Sequence, residues 1–185
     1  MCMKEKLVPA GILEPVGGES FLFFGTNYKT SDFMVDGLLL WWQHRKPELP
    51  GIKRIVINLD NGPECNGRRS QFLQRMTEFA DLTGLGVRLV YYPPYHSKYN
   101  AIERYWAGLE KSWNGYLLST VETVINRAGN FWWKGMRTAA CLVDTIYEKG
   151  VKLCANEKRD LEHRLERSPE LNWWDITIHH KTVLL

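Results

Sequence analysis

Three things are scarce in this 185-residue sequence, and each scarcity removes a class of explanation. Cysteine is limited to Cys2, Cys65, Cys141 and Cys154, far apart, with no Cys-x-x-Cys pair and no histidine at ligand spacing. A structural zinc site is therefore not expected, and a reduced, cytoplasmic protein is the simplest assignment. No segment approaches the roughly 18 consecutive apolar residues that a membrane-spanning helix needs. The opening MCMKEKLVPAGILEP also lacks the apolar centre of a secretory signal, so no membrane partner is expected. Charge of one sign is scarce too: the net charge is +3, which permits a polyanionic partner without demanding one.

What is present is an ordinary globular composition, 44% hydrophobic and 24% charged, in a chain long enough for one domain with a small appendage. The first half alternates short apolar runs with amphipathic stretches, the pattern of a layered α/β fold. Leu7 to Leu13 and Ser20 to Gly25 flank the EPVGGE turn as an antiparallel hairpin. TSDFMVDGLLLWWQHR follows as a helix capped by Thr30 or Ser31, with Phe33, Leu38 and Trp41 or Trp42 inward. Arg54 to Leu59 is a strand, Arg68 to Thr83 a helix closed by Gly84, and VRLVYY a strand stopped by Pro93 and Pro94. A helix runs from Asn100 to Trp113, with Ile102, Trp106, Leu109 and Trp113 on one face. The rest is expected to be mostly helical, giving a division into residues 1–120 and a helical extension, 121–185.

Three features bear on chemistry: Asp60 at a strand end, the tract PPYHSKYNAIERYW after the next strand, and Glu103 in the first turn of the helix that follows. In a wound sheet, strand ends and helix starts converge at one edge, so Asp60 and Glu103 can meet although 43 positions separate them. Together they would offer hard oxygen ligands. Each acid also has a local explanation. Asp60 can start a turn, and Asn100 with Glu103 fits a helix-capping arrangement.

VINLDNGPE followed by YYPPYHSKYNAIERYW resembles the catalytic core of bacterial insertion-sequence transposases of the DDE class, relatives of retroviral integrases. The resemblance implies a ribonuclease H-like α/β fold, a mixed sheet flanked by helices. It also implies three acids holding two divalent ions, Mg²⁺ or Mn²⁺, for cleavage and strand transfer of DNA. On the matching motifs Asp60 is the second acid and Glu103 the third. Asn61 and Gly62 would make a tight turn that lets the DNA backbone approach, with Glu64 supporting the metal ligands. His96, Ser97 and Lys98 would form the active-site loop near phosphate, Asn100 would cap the catalytic helix, and Arg104 would lie on the DNA side.

The first acid, on a first core strand, has no counterpart. Asp32 and Asp36 are the only upstream aspartates, and both fall on a helix. In the 3-2-1-4-5 strand order of that fold the lost strand would lie between the hairpin and the Asp60 strand, leaving unpaired edges. The expectation is a truncated transposase, inactive alone, with DNA and a homo-oligomer or full-length transposase as partners. The alternatives are a non-catalytic regulator of full-length transposase and a ribonuclease H-like nuclease. The tryptophans and the bases Arg68, Arg69, Arg104, Lys111, Arg127, Lys134 and Arg137 could contact DNA, or they could simply pack and be solvated.

Overall fold

The structure, a computed structural model, describes residues 6–93, 96 and 99–181. It is a mixed α/β protein that divides into two compact units, each drawn from both sides of residue 120. One comprises residues 1–29 and 98–147, the other residues 30–97 and 148–185.

The first unit is built on the hairpin β1 (Val8–Leu13) and β2 (Ser20–Gly25), paired antiparallel. SFLFFG is buried at every position because β2 is a central strand, with β7 (Ala139–Val143) parallel on its far side. α3 (Ala101–Ser112) and α4 (Val121–Gly129) complete the unit, with a two-stranded ribbon of β5 (Trp132–Trp133) and β6 (Met136–Arg137). The core gathers Leu22, Phe24, Tyr105, Leu109 and Ala128. Ile102, Trp106 and Trp113 pack against it as half-buried neighbours, while Tyr105, not on the face read from the sequence, is completely buried. Its ring meets Trp106, Phe131 and Trp133 edge-on at 5.4 to 5.9 Å, and its hydroxyl lies 2.8 Å from Thr138 Oγ1. The polar end of the ring is thereby satisfied inside an apolar cluster.

The second unit holds a four-stranded sheet in the order β3 (Arg54–Leu59), β4 (Gly86–Tyr91), β9 (Asp175–Ile178), β8 (Leu165–Arg167). β3 and β4 are parallel, and the other pairs are antiparallel. α1 (Ser31–Arg45), α2 (Ser70–Thr83) and α5 (Ala155–Glu162) belong to the same unit. Thr30 caps α1 through a bond from the Phe33 N–H, and Phe33, Leu38, Trp41 and Trp42 are buried. α2 begins at Ser70 rather than Arg68, because the Arg68 N–H is taken by the Asn66 side chain at 3.0 Å and held in the preceding loop. Gly84 closes it in the left-handed conformation.

The mostly helical reading of residues 121–185 is corrected. Its described residues contain two short helices and five strands. The physical reason is edge demand: β2 and β4 carry buried apolar residues on backbones that need partners, and AACLV and DITI supply them. β1 and β3 are each the terminal strand of their sheet among the described residues. No helix among those residues is long and apolar enough to cross a membrane.

Asp175 on β9 receives two bonds from Arg88 on β4, at 2.9 and 2.6 Å. These bonds hold the Asp175 carboxyl below its ordinary value of 3.8. A lowered folded-state value contributes stability above the unfolded value and loses it as pH falls through the folded one. Arg88→Ala should therefore lower the urea midpoint near neutral pH, and the two proteins should converge by about pH 2. A gap that persists unchanged in acid would show that Arg88 acts through packing alone.

Candidate functional site

β3 delivers Asp60 to the sheet edge. The strand alternates half-buried Ile55, Ile57 and Leu59 with exposed Arg54, Val56 and Asn58. Leu59 stands opposite Tyr91, and Asp60 follows at once, exposed. It thus lies outside the carboxyl ends of two parallel strands, where open α/β sheets place their ligands. Its carboxylate has no ion-pair partner among the described residues, and Oδ1 accepts from the Cys65 thiol at 3.7 Å.

The tight turn is centred on Pro63-Glu64, two residues beyond Asn61-Gly62. The Cys65 N–H donates to the Gly62 carbonyl at 3.2 Å, closing Gly62-Pro63-Glu64-Cys65 with Pro63 where its fixed φ suits a turn. Gly62 does not use the left-handed region. A Cβ there would stand 3.5 Å from Asp60 Oδ1 and 3.5 Å from Glu64 Oε2, which is ordinary contact. The same two distances show the Asp60 and Glu64 carboxylates converging on one backbone position. Asn61 is exposed beside them.

The loop is pinned from several directions. The Tyr91 hydroxyl donates to the Cys65 carbonyl at 2.7 Å, and burial pushes that hydroxyl far above the ordinary tyrosine range, so it stays a donor. Ser31 Oγ donates to the Glu64 carbonyl at 2.6 Å, and Arg167 Nη1 to that of Gly67 at 3.0 Å. Gly67 was not anticipated. A Cβ there would fall 2.1 Å from the Trp173 carbonyl oxygen, so only glycine fits. Nothing local in the sequence marks it, because the constraint comes from a strand connection more than 100 residues away.

Glu103 belongs to the other unit, and each acid is described within its own. Asn100 caps α3 by accepting from the Ile102 N–H at 3.4 Å, and the Glu103 N–H donates to the Asn100 carbonyl at 3.1 Å. A capping box would also need the Glu103 carboxylate to accept from the Asn100 N–H. No such bond occurs among the described residues, so the carboxylate is exposed and uncommitted. Arg104 is exposed beside it. His96 is exposed, with its N–H donating to the Pro93 carbonyl at 3.1 Å, whereas Ser97 and Lys98 lie outside the described residues.

Asp32 and Asp36 sit on α1 and are occupied by Arg75, at 3.2 and 2.5 Å. Among the described residues no group of three His, Cys, Asp or Glu side chains could hold a metal. The donor chemistry nevertheless suits a hard cation: Asp60, Glu64 and Glu103 offer carboxylates with no arginine or lysine committed to them among those residues. Several of the bases considered for DNA have other work. Lys134 donates to the Pro15 carbonyl, Arg137 to the Gly129 carbonyl and Asn130, and Arg127 stacks on Tyr116.

A family model described as the Rhodopirellula transposase DDE domain matches residues 2–180. The chain belongs to this family of DDE transposase domains. No curated protein and no solved structure matches it. In the transposase domain, the acid-bearing loop from Asp60 to Arg68 is thus held by side chains reaching it from α1, β4 and β8.

The two loop glycines should respond differently to alanine. Gly67→Ala forces backbone against backbone and should cost about 2 kcal/mol or more in urea unfolding. Gly62→Ala should stay within about 0.5 kcal/mol of the parent. Equal losses at both positions would contradict this account of the loop.

Proposed function

We propose that this chain carries the second and third acids of a DDE transposase, Asp60 and Glu103, whose parent reaction is divalent-ion-dependent cleavage and strand transfer of DNA. The observation that carries the reading is that both acids of the matching motifs are exposed and, among the described residues, free of cationic partners, one at a strand end and one in the first turn of a helix. Asp32 and Asp36, by contrast, are both ion-paired with Arg75. Membership of the transposase family supplies the DNA substrate class.

Asp60 and Glu103 would hold Mg²⁺ or Mn²⁺, with Glu64 beside Asp60 orienting the ligand shell. The bound cations would supply an activated water or DNA 3′-hydroxyl and a neutralised departing oxygen. The chain's own contribution is positional. The pinned loop keeps Asp60 at a fixed place relative to β4, and Asn100 fixes the start of the helix that bears Glu103. With the upstream aspartates on α1 bound to Arg75, residues 1–185 supply two acids of three and have little or no activity alone.

An oligonucleotide strand-transfer assay with Mn²⁺ tests this directly. The purified 185-residue chain should give no product above background. Robust turnover lost in Asp60→Ala would overturn the inactivity while supporting the acid. Turnover that survives both Asp60→Ala and Glu103→Ala would overturn the assignment of the acids.

A further inference from the structure

In the unit that carries Asp60, a cleft of about 250 Å³ opens among Arg68, Ser70, Lys158, Glu162, Arg167 and Trp173. Its charges are unequal in role. Arg167 is part of the wall: Nε and Nη2 bond the Glu162 carboxylate at 2.9 and 2.8 Å, and Nη1 bonds the Gly67 and Asn172 carbonyls, each at 3.0 Å. That pairing cancels the one carboxylate in the cleft. Arg68, exposed, stacks its guanidinium 5.2 Å from the centre of the Trp173 ring and makes no side-chain hydrogen bond or ion pair among the described residues. Lys158, exposed on α5, is equally uncommitted. Two cations and the Ser70 hydroxyl therefore face a concave space with no carboxylate left to answer them.

Scattered bases on a surface are usually just solvated. Two features separate this pair from that case. Arg68 is ordered against an aromatic face, and that face is itself fixed by Arg167, whose guanidinium lies 4.6 Å from the same ring. Less side-chain freedom is then lost when a ligand binds. Forked guanidinium donors, an ammonium and a hydroxyl are together a recognition set for phosphate oxygens.

We propose that this cleft binds a backbone phosphate of DNA through Arg68 and Lys158, holding a strand against the loop that begins at Asp60 and ends at Arg68. This proposal rests on the transposase reading for its ligand, and it assigns a contact that the catalytic acids do not make. Phosphate contacts position a nucleic acid without reading its sequence, so the site should be indifferent to base composition.

The test is the salt dependence of DNA binding by the full chain, without divalent ions, read by fluorescence anisotropy on a labelled duplex. Arg68→Ala/Lys158→Ala is compared with Lys46→Ala/Lys53→Ala, which removes the same charge from exposed positions on the same unit. Loss of two phosphate contacts should flatten the slope of log K against log salt by about 1.8, roughly a 60-fold smaller change in affinity per tenfold change in salt. The control pair should leave the slope near that of the parent. An equal fall in both double variants, or no fall in the first, would overturn the cleft while leaving the transposase reading intact. Failure of the parent chain to bind DNA at low salt would overturn both.

Discussion

The buried strand β4 is the member on which its unit depends. Val87, Leu89 and Tyr91 point inward and are almost fully enclosed, and the strand is paired on both edges, with β3 on one side and β9 on the other. The last of these side chains does more than pack. The Tyr91 hydroxyl donates to the Cys65 carbonyl, and the Tyr91 N–H donates to the Trp174 carbonyl, so one residue ties the acid-bearing loop and the β9 connection to the same point. An unpaired hydroxyl at that depth would carry a desolvation cost of about 1–3 kcal/mol, so bond and burial enforce each other. The position of Asp60 follows from the core, although Asp60 itself is in solvent.

The other unit solves the same problem with an aromatic cluster. Tyr105 and Leu109 anchor α3, and Tyr105 is locked by three edge-on ring contacts and by Thr138, which lies 2.9 Å from Ser20 Oγ. With that face buried, helical geometry turns Glu103 and Arg104 outward. Most of the tryptophans serve such packing. Trp41 and Trp42 are buried and Trp106, Trp113 and Trp133 line the core, whereas Trp173 is 39% exposed and flanked by two guanidiniums.

Much of the first half was legible because its signals are local. The hairpin around EPVGGE, the Thr30 and Asn100 caps, the Gly84 stop and the apolar run RIVINL each act within a few residues. The second half was misread because its short strands have no periodicity of their own. AACLV and DITI become strands only where β2 and β4 present open edges, and that requirement lies far away in the chain. The same distance hid Gly67, whose need for a missing side chain is set by the Trp173 backbone, and Tyr105, whose hydroxyl finds its partner in Thr138. The acids were visible as motif, and the turn expected at Asn61-Gly62 was misplaced by two residues because Pro63 outweighs the Asn-Gly pair.

β1 and β3 close neither sheet, and each leaves one row of backbone groups without a strand partner among the described residues. Natural proteins seldom leave such edges bare. The proposal that Asp60 and Glu103 are metal ligands is tested most directly by calorimetric titration of Mn²⁺ into the folded chain, with Asp60→Ala and Glu103→Ala beside it. Weak binding that disappears in each variant is the predicted result. Binding that survives both substitutions, or none at all in a chain whose circular dichroism shows it folded, would contradict it.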